Sequence, residues 1–311
     1  MNIFTALLLL VLGFVLLIKG ADYFVDGASS VAKKFRIPSI IIGFTIVAMG
    51  TSLPECAVSV TASLANNNAL AISNVVGSNI LNLMVVCGAS AIFAPLAIQK
   101  STLLKEFPFS IFCALLLLVL GYTSFSLGRM ESILLLVLFV AYLLWMIFSA
   151  LKNRQEIDEE VQILPAWKCI VFILGGAIAI KYGGDFVVDG ASFIATKLGF
   201  SQNLIGLTIV ALGTSLPELV TSIVAARKNE VDMALGNAIG SNIFNILLIL
   251  GIAGAISPVA FIMENVIDII LLTIMSAYVW ILAWTKNHIN KTEGISMILI
   301  YVIYLVYICI R

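Results

Sequence analysis

Two short polar stretches inside apolar sequence carry the residues that could do chemistry. Residues 43–55 read GFTIVAMGTSLPE and residues 206–218 read GLTIVALGTSLPE, with eleven of thirteen positions identical. Each stretch ends in a glutamate, Glu55 or Glu218, and no Lys or Arg lies nearby in sequence to pair with it. A carboxylate within an apolar span is costly, so we expect both glutamates to be functional.

Proline and glycine within each stretch predict a broken helix. Pro54 and Pro217 each remove a backbone donor and clash with the preceding turn, and the glycine four residues earlier weakens the helix. Carbonyl oxygens freed by such a break are tolerated inside a membrane only within protein or beside a polar cavity. With the nearby side chains they form an all-oxygen set, which suits hard cations such as Ca²⁺. Those side chains are Thr51, Ser52, Glu55, Thr214, Ser215 and Glu218.

A second motif follows each of these stretches. Residues 74–82 read NVVGSNILN and residues 237–245 read NAIGSNIFN, with six of nine positions identical. Polar residues four apart share one helix face. Gly77 and Gly240 are expected to let these helices approach their broken neighbours closely. Two polar faces result, one of Asn74, Ser78 and Asn82 and one of Asn237, Ser241 and Asn245.

Amides in membrane helices serve as interhelical hydrogen-bonding groups as readily as they serve as ligands. Both interpretations stay open for Asn74, Asn79, Asn237 and Asn242. Four aspartates toward the ends of their spans are expected to be solvated, and His288 lies in a polar loop where we expect no special role. The four are Asp22, Asp26, Asp185 and Asp189.

The elements that must position these residues are membrane-spanning helices. The chain is 61% hydrophobic and 11% charged, which leaves too little polar surface for a soluble globule. A span needs roughly 20 apolar residues. Ten such segments occur, near 3–32, 38–65, 70–95, 103–124, 130–151, 166–196, 201–226, 233–257, 262–285 and 295–310.

The second half of the chain repeats the first. Adding 163 to a position carries Glu55 to Glu218 and Ser78 to Ser241, with no gap from about residue 20 to residue 90. Because five spans per half is an odd number, equivalent helices must cross the membrane in opposite directions, the inverted-repeat plan of many secondary transporters. We therefore expect an all-α polytopic protein with a first repeat at 1–151, a cytoplasmic linker at 152–165 and a second repeat at 166–311.

Lys and Arg in the connections predict the orientation. With both termini outside, the cytoplasmic connections hold twelve of these residues and the external side three. Positive charge accumulates on the cytoplasmic side, so we expect the amino and carboxyl termini to lie outside a plasma membrane. The net charge is zero and the charges are scattered, which gives no indication of a nucleic-acid partner.

The duplicated GTSLPE and GSNxxN motifs, in inverted halves of five spans, resemble the sodium/calcium exchanger family of the cation/Ca²⁺ antiporters, in particular its prokaryotic members. The resemblance covers nearly the whole chain. It implies an antiporter whose second, third, seventh and eighth helices form one central site for Na⁺ or Ca²⁺, while the long first and sixth helices move to alternate access. It implies no cofactor and no obligatory protein partner; the ions are substrates.

Transferred position by position, the family's ion site falls on residues that all carry oxygen. Certain archaeal members and the potassium-dependent exchangers have aspartate where this chain has Asn245, so this site holds two carboxylates and potassium coupling is less expected. The backbone carbonyls of Ala48 and Ala211 match further family ligands. The side chains are Thr51, Ser52, Glu55, Ser78, Asn82, Thr214, Ser215, Glu218, Ser241 and Asn245.

Three alternatives differ from Na⁺/Ca²⁺ exchange. A Ca²⁺/H⁺ antiporter would use the same glutamates as proton carriers, since burial favours the neutral acid. A cation channel could build a filter from the same oxygens, although the inverted halves favour a carrier. Hydrolysis is not expected, because the only histidine, His288, lies in a loop and no HExxH motif occurs.

Overall fold

Helices make up nearly all of the described chain. The computed structural model describes residues 1–65, 68–152, 164–200 and 211–310, together with positions 205 and 209. The expected all-helical, polytopic architecture is confirmed, apart from four two-residue strands. The expected linker at 152–165 lies almost entirely outside the described residues.

The first repeat begins with one very long helix and continues through shorter pieces. Its α-helices are α1 (Ile3–Phe35), α2 (Ser39–Ile42), α3 (Ala48–Thr51), α4 (Leu53–Leu64), α5 (Asn68–Leu81), α6 (Cys87–Phe93), α7 (Phe107–Ser124) and α8 (Arg129–Lys152). Wider π-helical turns join some of these pieces, at Gly43–Val47, Asn82–Val86 and Thr102–Glu106. Such turns interrupt the regular helix and are frequent at functional sites.

The second repeat follows the same plan. Its α-helices are α9 (Ala166–Lys197), α10 (Ala211–Thr214), α11 (Leu216–Arg227), α12 (Val231–Phe244), α13 (Leu250–Ile256), α14 (Met263–Lys286) and α15 (Lys291–Ile310), with a π-helical turn at Asn245–Ile249. The π-helical turn matches the one that starts at Asn82, 163 residues earlier. The internal repeat of the sequence is therefore also a repeat of local backbone geometry.

Small antiparallel strand pairs tie the two repeats together at the helix ends. Strand β1 (Leu96–Ala97) pairs with β4 (His288–Ile289), and β2 (Ser126–Leu127) pairs with β3 (Val259–Ala260). Each pair takes one strand from each repeat. His288, for which we expected no special role, pairs through its main chain, and its Nδ1 lies 3.0 Å from the Lys286 carbonyl oxygen.

Eight helical segments of the described residues are long and apolar enough to cross a membrane, and a bent pair supplies a ninth. The bent pair consists of Ser39–Thr51 and Leu53–Leu64, which meet at 50°. The segment expected at 201–226 begins in residues that lie outside the described part, so the count of ten stays a prediction. The apolar side chains on the periphery are exposed, as a lipid-facing surface requires.

The helix break falls just before the proline. Ser52 leaves the helical conformation, with φ −83° and ψ 9°, and Pro54 lies in the first turn of α4. Ser215 does the same, with φ −96° and ψ 7°, ahead of Pro217 in the first turn of α11. A proline is tolerated in a first turn, where its missing N–H would have no helical acceptor. The expected breaks are therefore found at Ser52 and Ser215.

α1 and α9 pack antiparallel along their length through small residues spaced seven apart. Gly13 lies against Gly183 and Gly20 against Gly176, so closely that a Cβ added to Gly13 would lie 2.8 Å from the Gly183 carbonyl oxygen. The pattern continues seven residues further toward each end of α1, where Ala6 contacts Gly190 and Gly27 contacts Cys169. Small residues at such an interface let the two backbones approach.

The central layer consists of the two most buried spans, Ala69–Phe93 and Val231–Ile256. Gly240 of α12 packs against the broken helix as expected, since an added Cβ would lie 2.7 Å from the Phe44 Cα atom. For Gly77, no atom of the described residues lies within 4 Å of an added Cβ. Its expected neighbour includes residues 206–208 and 210, which are outside the described part.

Candidate functional site

Glu55 and Glu218 are fully buried and bound across the repeats. The Ser52 hydroxyl donates to Glu218 Oε1 at 2.8 Å, and the Ser215 hydroxyl donates to Glu55 Oε1 at 3.0 Å. The two bonds are equivalent, because each residue lies 163 positions from its counterpart. The serine at each helix break therefore holds the carboxylate that follows the other break.

Both carboxylates lie in the first turn of a helix, Glu55 in α4 and Glu218 in α11. The amino-terminal end of a helix carries partial positive charge, which favours a carboxylate there. No Lys or Arg of the described residues forms an ion pair with either glutamate. The helix ends and the serine hydroxyls thus offset only part of two negative charges.

Several buried oxygens around the glutamates have no hydrogen-bond partner within the described residues. They include Glu55 Oε2, Glu218 Oε2, Asn82 Oδ1, Asn245 Oδ1 and the hydroxyl oxygen of Ser241. A buried polar atom without a partner costs free energy, and the cost is larger for a charged group. Such acceptors on the broken and central helices form a set that a desolvated cation would satisfy.

The asparagines at the start of the second motif bind neighbouring helices. Asn74 Nδ2 donates to Ser59 Oγ at 3.0 Å, and Asn237 Nδ2 donates to Ser222 Oγ at 2.9 Å. Each amide also reaches the main-chain oxygen of its repeat's glutamate, at 3.3 Å for Asn74 and 3.4 Å for Asn237. Of the two interpretations left open for this pair, the geometry favours interhelical bonding.

Asn79 and Asn242 join the two central helices directly. Asn79 Nδ2 donates to the Asn242 carbonyl at 3.1 Å, and Asn242 Nδ2 donates to the Asn79 carbonyl at 3.1 Å. Asn245 Nδ2 donates to Asn79 Oδ1 at 2.9 Å, and the amide oxygen of Asn245 has no hydrogen-bond partner in the described part of the chain. Asn79 therefore sets which atom of Asn245 is available to an ion.

The remaining predicted residues lie on the same elements. Thr51 Oγ1 donates to Asn237 Oδ1 at 3.0 Å, and Ser78 Oγ lies 3.1 Å from Ser215 Oγ, which connects both to the glutamate network. Ser241 is buried in α12. Ala48 is in α3 and its carbonyl accepts from Ser52 N at 3.0 Å, while Ala211 begins α10 and Thr214 ends it, just before the second break.

A cavity of about 400 Å³ leads from the surface toward these residues. It lies between α9 and the broken helices, and Thr214, Pro54 and Pro217 are part of its lining. Asp185 and Asp189 of α9 line it as well. These two aspartates therefore lie in a cavity beside the helix breaks, where Lys181 of the same helix pairs with Asp185.

Sequence reasoning missed two sets of polar contacts. Ser59 and Ser222, which hold the motif asparagines, are themselves 163 residues apart, so a complete comparison of the repeats could have indicated them. Asp22 and Asp26 were expected to be solvated, but they bind Lys228, more than 200 positions away. No pattern within the sequence points to that contact.

The donor set has a definite chemical character. In the described ranges, no three His, Cys, Asp or Glu side chains converge on a point that could hold a metal ion. An ion among these helices would therefore bind two carboxylates together with hydroxyl, amide and carbonyl oxygens. Such neutral oxygens suit Na⁺ and Ca²⁺ better than they suit transition metals, which prefer nitrogen and sulfur ligands.

Comparisons with known proteins agree with this arrangement. A family model described as sodium/calcium exchanger protein matches residues 5–148 and 168–310. The sodium/calcium exchanger MaX1 of Methanosarcina acetivorans is 33% identical, with 96% of this chain and 97% of MaX1 covered. An uncharacterised membrane protein of Methanocaldococcus jannaschii, MJ0091, is 36% identical, with 94% of each chain covered.

A solved structure shares the whole architecture. The sodium-calcium exchanger NCX_Mj, soaked with Na⁺ and Sr²⁺, superposes with a TM-score of 0.87 at 32% identity, over 98% of this chain and 99% of that chain. The expectation that the chain is not an enzyme is confirmed, since these relatives are exchangers. Together the matches identify a multi-pass membrane antiporter for Ca²⁺ and other cations. The chain belongs to the sodium/calcium exchanger family.

Proposed function

We propose that the protein exchanges Na⁺ for Ca²⁺ by alternating access at one central site. The observation that carries the proposal is the reciprocal binding of the two buried glutamates, Glu55 and Glu218, by serines of the opposite repeat. This arrangement places two negative charges between the two helix breaks. One Ca²⁺ would neutralise both charges, whereas a single Na⁺ would neutralise only one of them.

The ligands of the site are proposed to be the residues that the two motifs supply. Ca²⁺ takes roughly 6 to 8 oxygens, more than two carboxylates can offer, so hydroxyls, amide oxygens and main-chain carbonyls complete its shell. The proposed ligands are Glu55, Glu218, Thr51, Ser52, Thr214, Ser215, Ser78, Ser241, Asn82 and Asn245, with the carbonyls of Ala48 and Ala211.

Competition for the same oxygens is what makes the exchange coupled. A buried pair of carboxylates without a counter-ion is unfavourable, so the empty site resists moving across the membrane. Either Na⁺ or Ca²⁺ removes this penalty, but both need Glu55 and Glu218 and cannot bind together. An ion entering from one side therefore replaces an ion that leaves on the other.

The movement is proposed to involve α1 and α9 against the rest of the bundle. These two helices contact each other through glycine and alanine, so they form a pair with a closely packed common interface. The cavity beside α9 and the packing of α1 against α11 at the matching place are what two ends of such a movement would produce. The two repeats, 1–151 and 166–311, are proposed as the units that define this symmetry.

Uptake into liposomes tests the proposal. Purified protein in Na⁺-loaded vesicles, diluted into Na⁺-free buffer, is expected to take up Ca²⁺, and choline-loaded vesicles are not. A second set of choline-loaded vesicles carries an imposed proton gradient. Uptake that follows the proton gradient without Na⁺ would instead establish a Ca²⁺/H⁺ antiporter, the alternative that uses the same glutamates, and unitary currents would indicate a channel.

A further inference from the structure

The two repeats have equivalent faces beside the site, and among the described residues these faces differ in how closely they are packed. The open passage is the cavity of about 400 Å³ between α9 and α4, with Asp185 and Asp189 in its lining. The equivalent aspartates of the first repeat, 163 residues earlier, are Asp22 and Asp26 on α1. Internal symmetry therefore predicts a second passage between α1 and α11.

That second passage is closed by packing. α1 packs along α11, and apolar residues from both helices, including Ala28 of α1 and Val224 of α11, belong to one buried cluster. The structure thus has one access route open and its symmetry mate shut.

A lysine closes the polar part of the second passage. Lys228, at the carboxyl end of α11, donates to Asp26 Oδ1 at 2.7 Å and to the Asp22 carbonyl at 2.9 Å, and its ammonium lies 3.4 Å from Asp22 Oδ1. The lysine side chain is only 28% exposed. A cation on its way to the site would meet the carboxylates of Asp22 and Asp26. The Lys228 ammonium already lies between them.

A second contact strengthens the same connection. Lys33 of α1 lies 3.5 Å from Glu230 Oε1, and the Ser29 hydroxyl donates to the same Glu230 oxygen. Both contacts join α1 to the short connection between α11 and α12. The first repeat offers nothing comparable at the equivalent of Lys228, because that position is Ala65.

We propose that Lys228, Asp22 and Asp26 form a lysine latch that holds the cytoplasmic passage closed while the outer passage is open. The inference rests on the proposed exchange function and on the proposed orientation, which places this end of α1 and α11 inside. For the passage to open, the lysine must leave both aspartates. Cations arriving from the cytoplasm then compete with an ammonium that joins two helices, whereas cations arriving from outside meet Asp189 and Asp185, and the lysine paired with Asp185, Lys181, belongs to the same helix α9.

Thiol labelling of the outer cavity tests the latch. Ala57 of α4 lines that cavity and is exposed, so Ala57→Cys, in a chain whose native cysteines are replaced, reports on the open outer passage. Adding Lys228→Ala, which reproduces the first repeat's residue, is expected to slow labelling by an impermeant maleimide about two- to five-fold, because one partly buried ionic contact no longer holds the outward-open state. The apparent affinity for Ca²⁺ applied from the cytoplasmic face should rise by a similar factor.

Two controls separate the latch from general loss of charge. Lys19 also pairs with Asp22, at 4.0 Å, but within α1, so Lys19→Ala removes a lysine from the same aspartate without freeing α1 and should change neither readout. The double substitution Lys228→Asp with Asp26→Lys reverses the pair and should restore labelling toward the parent rate. If Lys228→Ala is not monodisperse after purification, Lys228→Gln, which keeps most of the side chain, is used in its place.

The outcomes also separate the latch from the proposed function. Unchanged labelling and unchanged inner affinity in Lys228→Ala and Lys228→Gln would overturn the latch, even if Na⁺-driven uptake is intact. Failure of the parent protein to exchange Na⁺ for Ca²⁺ would overturn the proposed function, while the labelling rates would still decide whether Lys228 controls the outer cavity.

Discussion

Each buried glutamate in this protein receives a hydrogen bond from the repeat to which it does not belong. These hydrogen bonds between the repeats couple the two carboxylates, because displacing either helix break changes the surroundings of both Glu55 and Glu218. The free oxygens beside them, on Asn82 and Asn245, belong to amides and carry no net charge. The charge of the site therefore rests on two residues, and it should respond sharply to the loss of one.

Replacing one glutamate by glutamine tests that conclusion. Glu55→Gln or Glu218→Gln keeps the shape and an oxygen that can accept the serine hydroxyl, so the protein should fold. Removing one charge from the buried pair should lower Ca²⁺ transport by about 100-fold or more in the liposome assay. Glu131→Gln, the same change at the start of α8 and outside the site, should leave transport unchanged; robust uptake by either site variant would contradict the assignment.

The residue types of the site could be predicted from the sequence, but their pairing could not. The duplicated motifs gave the two glutamates, the hydroxyls and the asparagines, since oxygen-rich residues in apolar spans are unusual. Which serine meets which carboxylate depends on how two broken helices cross. Ser52 and Glu218 are 166 residues apart, and Lys228 and Asp26 are 202 apart, so neither contact follows from local spacing.

At the scale of the element, the interface between α1 and α9 is defined by residues with almost no side chain. Four contacts recur every seven residues, and at Gly13 and Gly20 a Cβ would come within about 3 Å of backbone atoms of α9. The latch is the opposite kind of contact, made by long charged side chains. The first kind keeps two helices together, while the second can be released and formed again.

A pair of neighbouring glycines on α9 tests the importance of this interface. An added Cβ on Gly176 would lie 2.7 Å from the Gly20 carbonyl oxygen, whereas at Gly175 it would meet no atom of the described residues within 4 Å. Gly176→Val should therefore force the helices apart and destabilise the protein by about 1–3 kcal/mol, with a slower exchange rate. Thermal unfolding in detergent and Na⁺-driven Ca²⁺ uptake check both effects, with Gly175→Val as the matched control; equal losses in the two variants would contradict the prediction.

The helix breaks illustrate what local sequence can and cannot predict. The proline and glycine predicted that the second span would bend, and it does, by 50°. The residue that leaves the helix is Ser52, two positions before Pro54, because the first turn of a helix accepts a proline. The π-helical turns were not predicted, because they have no distinct signal in the sequence.

At the scale of the whole molecule, the open and closed passages make the two membrane sides of the structure different. The cavity beside α9 and the latch beside α1 lie at opposite ends of the broken helices, so in the described part of the chain one side has a cavity and the other is held by an ion pair. The distribution of Lys and Arg predicts that the open side is external. This orientation decides whether the latch restrains entry from the cytoplasm or from outside.

Epitope accessibility tests the orientation. A tag added after Arg311 should bind an antibody on intact cells, and a tag inserted in the connection at 153–163 should bind only after the membrane is permeabilised. The reason is that the connections on the linker side hold twelve of the fifteen Lys and Arg residues counted. The reverse pattern would place both termini inside and would assign the latch to the external passage.

Asn79 and Asn242 occupy equivalent positions of the two repeats and bind each other, so they lie on the axis that relates the halves. A chain of half this length, inserted into the membrane in both directions, could form the same two bonds between identical subunits. Fusion into one polypeptide frees every other position from that identity, as Lys228 and Ala65 illustrate. In the fused chain, the inner and outer passages can therefore evolve different residues. The core between them keeps the twofold symmetry that two identical subunits would have.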